Sequence, residues 1–155
     1  MKKPNSGRGA QSNPHNPFEK TRVVYDNWES LDELPEENNK TEIHFDHPKT
    51  IVNKISSPDL GMTYSLNPYK GCEHGCAYCY ARNAHFYWGM SWGMSAGKDF
   101  ETKIVVKKNA VALLKKTLDA KRWIPKPISL SGNTDCYQPI ERKLKLQAEI
   151  DQIFA

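Results

Sequence analysis

From Thr50 onward the chain breaks into short apolar segments separated by turns. Met62-Thr63-Tyr64-Ser65-Leu66 has the character of a short strand and runs into Asn67-Pro68-Tyr69-Lys70-Gly71. The stretch Tyr80 to Phe86 predicts the start of a helix. Lys103-Ile104-Val105-Val106-Lys107 is β-branched and apolar between two lysines, the signature of a buried strand. Val111, Leu114 and Leu118 lie on one face of a helix that Asn109 can cap and that reaches about Lys121. Residues 123–127 break it. Pro127-Ile128-Ser129-Leu130-Ser131 predicts a third strand, ending in the polar turn Gly132-Asn133-Thr134-Asp135. Pro139 fits the first turn of a last helix, whose apolar face uses Ile140, Leu144, Ile150 and Ile153. This βαβαβα order predicts parallel strands joined by right-handed helical crossovers.

Residues 1–50 lack such a period. They are rich in Pro, Asn, Glu and Lys, and Gly7-Arg8-Gly9, Asn13-Pro14 and Asn16-Pro17 are loop signals. A mostly irregular N-terminal arm is expected over residues 1–50, partly wrapped on a domain at 51–155, with at most a helical turn in Leu31 to Asn39. Trp88-Gly89-Met90-Ser91 is repeated directly as Trp92-Gly93-Met94-Ser95, a tandem insertion expected in a loop packed on the domain.

Composition narrows the class. The 155 residues are 38% hydrophobic and 26% charged, which excludes collagen-like chains and disulfide scaffolds. The longest apolar run, Ala110 to Leu114, is far short of the roughly 18 residues of a membrane span. Met1-Lys2-Lys3 is followed by no apolar stretch, so no signal peptide is expected, and neither is a membrane partner. A soluble cytoplasmic chain is the expectation. Residues 1–50 carry 7 basic and 9 acidic side chains, and the remainder 15 and 9. A basic second part suits nucleic acid or phosphate-bearing partners. A solvated surface explains the same charge, since no basic–aromatic stripe accompanies it.

The cysteines change the picture. Cys72, Cys76 and Cys79 fall within eight residues as C-x3-C-x2-C, and Cys136 is distant. In a chain without an export signal, such clustering points to metal or redox chemistry rather than disulfides. Thiolates at this spacing can converge on one face of a loop, and Gly71 and Gly75 let the backbone turn around a cluster. Thiolate ligation is the usual way to hold iron–sulfur clusters. Three close cysteines without an adjacent fourth leave one iron free to bind a small molecule. Two alternatives stay open. Zinc wants four tetrahedral ligands, and His74 sits very close to Cys72 and Cys76 for that role. A closed, non-catalytic iron–sulfur or zinc module could take Cys136 as its fourth ligand, although plant-type ferredoxins use a first gap one residue longer.

The three-cysteine arrangement, with Tyr78 before its last cysteine, resembles that of radical S-adenosylmethionine (SAM) enzymes. Asn67-Pro68-Tyr69-Lys70-Gly71-Cys72-Glu73-His74-Gly75-Cys76 and Tyr78-Cys79-Tyr80-Ala81-Arg82 are similar to the bacterial subfamily related to spore photoproduct lyase. Asp99 to Ile104, Asn133 to Glu141, Arg8-Gly9-Ala10 and Ser57-Pro58-Asp59 resemble further blocks of that group. Two features depart from it: the duplicated Trp-Gly-Met-Ser, and Cys136 where the subfamily usually has proline. The resemblance implies an α/β fold, a partial (β/α) barrel holding the first three βα units. It implies a 4Fe-4S cluster on Cys72, Cys76 and Cys79 that passes one electron to SAM, whose C–S bond breaks to give a 5′-deoxyadenosyl radical for hydrogen abstraction. Tyr78 would neighbour the adenine. Thr134 would hold the methionyl part of SAM, with Ser131, Asn133 and Asp135 nearby. Lys107 and Asn109 would reach the SAM amino group, unless Asn109 only caps its helix and Lys107 is a surface lysine. For Tyr69, Arg82 and Glu101 a structural role is at least as well supported. The implied partners are SAM, an external one-electron reductant such as flavodoxin or ferredoxin, and nucleic acid as the first substrate class to test, in a lesion-lyase-like reaction.

Length bears on this implication. A full eight-unit barrel takes roughly 250 residues, and radical SAM cores by resemblance have about six units. Residues 60–155 hold about three, at about 30 residues per unit. The expectation is an arm plus the N-terminal half of a barrel, with an exposed sheet edge, poor stability and a need for the missing half.

Overall fold

The computed structural model describes residues 9–18, 40–89 and 94–155, without the side chains of residues 88 and 89. The expected helical turn in 31–39 and the middle of the Trp-Gly-Met-Ser repeat lie outside these residues. The elements run β1 (Glu42–Asp46), β2 (Val52–Lys54), a 3-10 turn (Pro58–Leu60), β3 (Tyr64–Leu66), β4 (Tyr69–Lys70), α1 (Arg82–Gly89), α2 (Lys98–Thr102), β5 (Lys103–Lys107), α3 (Ala110–Leu118), β6 (Ile128–Leu130), α4 (Glu141–Leu144) and α5 (Leu146–Phe154).

The strands form two three-stranded sheets, ordered β1-β5-β4 and β2-β3-β6. β1 runs parallel to β5 and β4 antiparallel to it. β3 runs parallel to β6 and antiparallel to β2. The three expected strands all form, but they do not make one consecutive parallel sheet. The first and third, β3 and β6, pair directly, whereas the second, β5, lies in the other sheet. The chain crosses between sheets at Asn67-Pro68, where proline lacks the N–H a ladder needs. The architecture is mixed α/β with small sheets.

β1 corrects the irregular-arm expectation for its last residues. Glu42–Asp46 pairs with β5 along its whole length, from Glu42 opposite Lys103 to Asp46 opposite Lys107. Ile43 and Phe45 remain exposed, so β1 is held by backbone pairing more than by apolar burial.

β5 behaves as its β-branched sequence requires. Ile104, Val105 and Val106 are buried, and Ile104 and Val106 join Ile51, Leu66, Tyr69, Ala110, Leu114, Ile140, Leu146 and Ile150 in the main core. α3 and α5 pack on one another over this core. Val111 and Leu118 flank the buried Leu114, and α3 ends at Leu118 with Lys115 and Lys116 in its last turn, where they complement the helix dipole. Asn109 stands at the N-cap position but makes no capping bond. Its amide donates instead to the Pro48 carbonyl at 3.0 Å, tying the helix start to the segment after β1.

The expected single last helix is two. Lys145 has φ 54°, in the left-handed region, and separates α4 from α5. Glu141 explains the break. Its Oε1 accepts the Gln147 and Ala148 backbone N–H groups at 2.8 and 3.1 Å, capping α5, while its Oε2 accepts the Tyr69 hydroxyl. A non-glycine residue in this conformation carries about 1 kcal/mol of strain. Lys145→Gly is therefore expected to raise stability by up to about 1 kcal/mol in urea unfolding; a loss instead would mean that the lysine side chain stabilises the break.

Candidate iron–sulfur loop

The cysteine loop starts where β4 ends. Cys72 N–H donates to the Phe100 carbonyl at 2.8 Å, pulling the loop against the end of α2. Gly71, at φ 79°, passes so close that a β-carbon there would lie 2.8 Å from the Lys103 carbonyl oxygen and 3.0 Å from that of Phe100. Gly75, at φ 63°, turns the loop back between Cys72 and Cys76. The Cys79 N–H donates to the Cys76 carbonyl at 3.2 Å, closing a turn with Ala77 and Tyr78 at its tip.

Two buried clamps hold the loop. Gln138 is fully buried; its Oε1 accepts the Glu73 N–H at 3.0 Å and its Nε2 donates to the Gly71 carbonyl at 3.3 Å, so one side chain grips both neighbours of Cys72. Arg82 donates from Nε and Nη2 to the Cys76 carbonyl at 3.3 and 2.8 Å, and its Nη2 also pairs with Glu101, which is fully buried. The Arg82 guanidinium lies 5.3 Å from the Phe100 ring centre, a cation–π contact.

The three clustered cysteines share one cleft of about 320 Å³ with His74, Tyr80, Ser131, Asn133, Thr134 and Asp135. Both sides of the cleft are tied together. His74 Nε2 lies 3.2 Å from Asp135 Oδ2, and the Tyr80 hydroxyl donates to the Gly132 carbonyl. Ser131, the residue after β6, has φ 62° and lines this cleft. All four cysteines are free thiols. Burial pushes the Cys72 thiol up; the backbone N–H groups of His74 and Asp135 reach its sulfur and pull the other way, while the Asp135 carboxylate and Cys79 push it further up. Among the described residues no three His, Cys, Asp or Glu side chains stand together as a preformed metal group. The loop thus gathers three soft sulfur donors in one cleft without yet closing them on a common point.

The other candidates separate. Tyr78 is 91% exposed and does not line the cleft, because it sits at the tip of the Cys76–Cys79 turn; Tyr80 lines the cleft in its place. Cys136 is buried, does not line the cleft, and has its thiol pushed up by burial. Lys107 is buried rather than on the surface. Its Nζ donates to the Asn67 carbonyl at 2.6 Å, and burial, with Lys70 nearby and Asp46 opposing, lowers it to about 8. It lines a neighbouring cavity of about 130 Å³ together with Asn133, Thr134 and His85. Asn133 and Thr134 line both spaces, and the Asn133 N–H donates to Asn67 Oδ1 at 3.0 Å. Asn109 lies apart from cleft and cavity, bound to Pro48.

His85 has a consequence for stability. It is almost completely buried, edge-on to Phe100 at 5.4 Å, and burial, with smaller contributions from Lys103 and Lys70 against Asp99, lowers its pKa to about 4. The unfolded chain protonates this imidazole near pH 6.5 and the folded chain only near 4. Its contribution to stability is whole above 6.5 and lost as pH falls through 4, about 3 kcal/mol in all. His85→Leu is expected to flatten the urea-stability profile between pH 6.5 and 4. The same acid loss in both proteins would show that other groups carry it.

No protein-family model matches the chain, and no solved structure matches it. Uncharacterized proteins of Mycobacterium tuberculosis and Mycobacterium bovis are 37% identical over 103 residues, covering 66% of this chain and 29% of each relative. An uncharacterized protein of Methanocaldococcus jannaschii is 34% identical over 114 residues, 73% of this chain and 38% of that protein. The matched part of the chain thus spans well under half the length of these relatives.

Proposed function

We propose that this chain carries the cluster-binding part of a radical SAM enzyme, a partial (β/α) barrel of that type preceded by an arm, working in the cytoplasm. One observation carries the reading: Cys72, Cys76 and Cys79 line a single cleft together with Ser131, Asn133 and Thr134, while Cys136 lies outside it. The donor set fits an iron–sulfur cluster, because among the described residues three thiols face the cleft, the soft donors such clusters take, while His74 beside them is paired with Asp135. Among the described residues no helix is long and apolar enough to cross a membrane, in keeping with that location.

Each residue then has a task. Cys72, Cys76 and Cys79 would hold a 4Fe-4S cluster, and Gln138 and Arg82 fix the backbone on either side of them. When bound, the cluster would supply the single electron that cleaves SAM reductively. Ser131, Asn133 and Thr134 offer hydroxyl and amide groups to the polar methionyl end of SAM from the opposite wall. Lys107, buried behind them, lends positive charge through the shared Asn133–Thr134 wall rather than by direct contact in the cleft. An external one-electron donor such as flavodoxin or ferredoxin is required. Nucleic acid is the substrate class to test first, in a lesion-lyase-like reaction, and further chain corresponding to the rest of the longer relatives would complete the substrate pocket.

Anaerobic reconstitution with iron and sulfide tests the reading. The expected result is the broad visible absorbance of a 4Fe-4S cluster and, with dithionite and SAM, release of 5′-deoxyadenosine. Zinc retained in place of iron after anaerobic purification and reconstitution would overturn it.

A further inference from the structure

We propose that residues 9–16 form a releasable clasp whose docking sets how exposed Cys76 is. The segment is irregular chain that meets the cysteine loop at Gly9 and continues along α2, Ser95 and α1. Gly9 lies directly on the backbone either side of Cys76: a β-carbon at Gly9 would fall 2.2 Å from the Gly75 carbonyl oxygen and 2.7 Å from the Ala77 nitrogen. The next residue is bonded to the clamp that holds Cys76. The Ala10 N–H donates at 2.8 Å to Glu101 Oε1, the same oxygen that pairs with Arg82, and Arg82 in turn grips the Cys76 carbonyl. Docking of the segment and the position of Cys76 therefore share one buried carboxylate.

Farther along, Asn13 and Asp99 bond reciprocally. Asn13 Nδ2 donates to Asp99 Oδ1 at 3.1 Å and the Asp99 N–H donates to Asn13 Oδ1 at 3.0 Å. The Ser95 hydroxyl donates to the Pro14 carbonyl at 2.6 Å, and Asn16, the buried residue of the segment, donates to the Phe86 carbonyl at 3.1 Å. The attachment is polar almost throughout and buries little apolar side chain. Such a segment belongs to the low-stability end of a fold and can open without global unfolding. Released, it uncovers both flanks of Cys76 and frees one bond to Glu101.

The clasp matters for function only if the cysteine loop is the working site proposed above, but thiol exposure in the metal-free chain tests it without iron. The experiment is site-resolved alkylation of the reduced, metal-free full chain by iodoacetamide, read by mass spectrometry. In Gly9→Val and in Asn13→Asp, the rate at Cys76 should rise about tenfold over the parent chain, with Cys136 unchanged. Asn13→Asp sets two carboxylates against each other, and adding Asp99→Asn restores a donor–acceptor pair, so the double variant should return Cys76 to the parent rate. An unchanged Cys76 rate in both single variants overturns the clasp. So does an equal rise at Cys136, which would make the segment part of the general fold, and so does failure of the double variant to restore the rate.

Discussion

Cys72→Ala is expected to abolish iron binding after anaerobic reconstitution, whereas Cys136→Ala should keep the iron content of the parent chain. Cys76→Ala and Cys79→Ala should behave like Cys72→Ala. The contrast follows from position. Cys72 lies inside the cleft, its backbone fixed by Gln138 on both sides and its N–H held by Phe100. Burial pushes its thiol up as it does that of Cys136, with the His74 and Asp135 N–H groups opposing the shift, so the contrast rests on place in the cleft and not on acidity. Cys136 is 3% exposed and outside the cleft. Iron and acid-labile sulfide per chain read the outcome directly. Loss of iron in Cys136→Ala, with the fold intact by circular dichroism, would favour the closed site with a fourth protein thiol.

The second large effect concerns the Arg82–Glu101 pair. Glu101 has a fully buried side chain and Arg82 is 14% exposed. Removing either partner leaves a buried charge without its mate, a loss of about 3–5 kcal/mol. Arg82→Ala is expected to unfold at a markedly lower urea midpoint, and so is Glu101→Ala. Replacing both should cost less than the sum of the two single losses, because no lone charge then remains. A loss below about 1 kcal/mol in the single variants would place the pair among solvent-screened surface bridges. Because Arg82 also holds the Cys76 carbonyl, Arg82→Ala should weaken iron retention as well as stability.

Local signals in the chain mark several of these elements. The β-branched run of β5 and the 3.6-residue spacing of α3 depend on neighbours in sequence, so their positions were readable there. The same holds for the three cysteines, whose spacing alone brings them to one loop. Other features depend on distant partners. β1 exists because β5 offers it an edge, and nothing local in Glu42–Asp46 announces a strand with Ile43 and Phe45 left exposed. The crossing at Asn67-Pro68 sends β4 to one sheet and β3 to the other, which a count of strands and helices does not reveal. The break at Lys145 lacks the glycine that usually marks one; it rests on Glu141, whose carboxylate caps α5 and accepts from Tyr69. Lys107 sits at the end of a strand like a surface lysine, and only its packing beneath Asn67 shows that it is buried. In the site, Gln138, Arg82 and Glu101 occurred in recognisable sequence blocks, but their grip on the loop spans up to 67 residues of chain and is a property of the fold. Tyr78 differs again: its neighbour in sequence is a ligand candidate, and the turn that closes Cys76 to Cys79 leaves it exposed at the tip, which spacing alone does not reveal.

In the proposed function the three thiols would hold a cluster and leave one iron open to SAM. Electron paramagnetic resonance of the reconstituted, dithionite-reduced chain tests it most directly, with spectra taken before and after SAM is added. The expected result is a reduced 4Fe-4S signal whose g-values shift on addition of SAM, in the parent chain and in Cys136→Ala alike. A cluster signal that SAM leaves unchanged would contradict it.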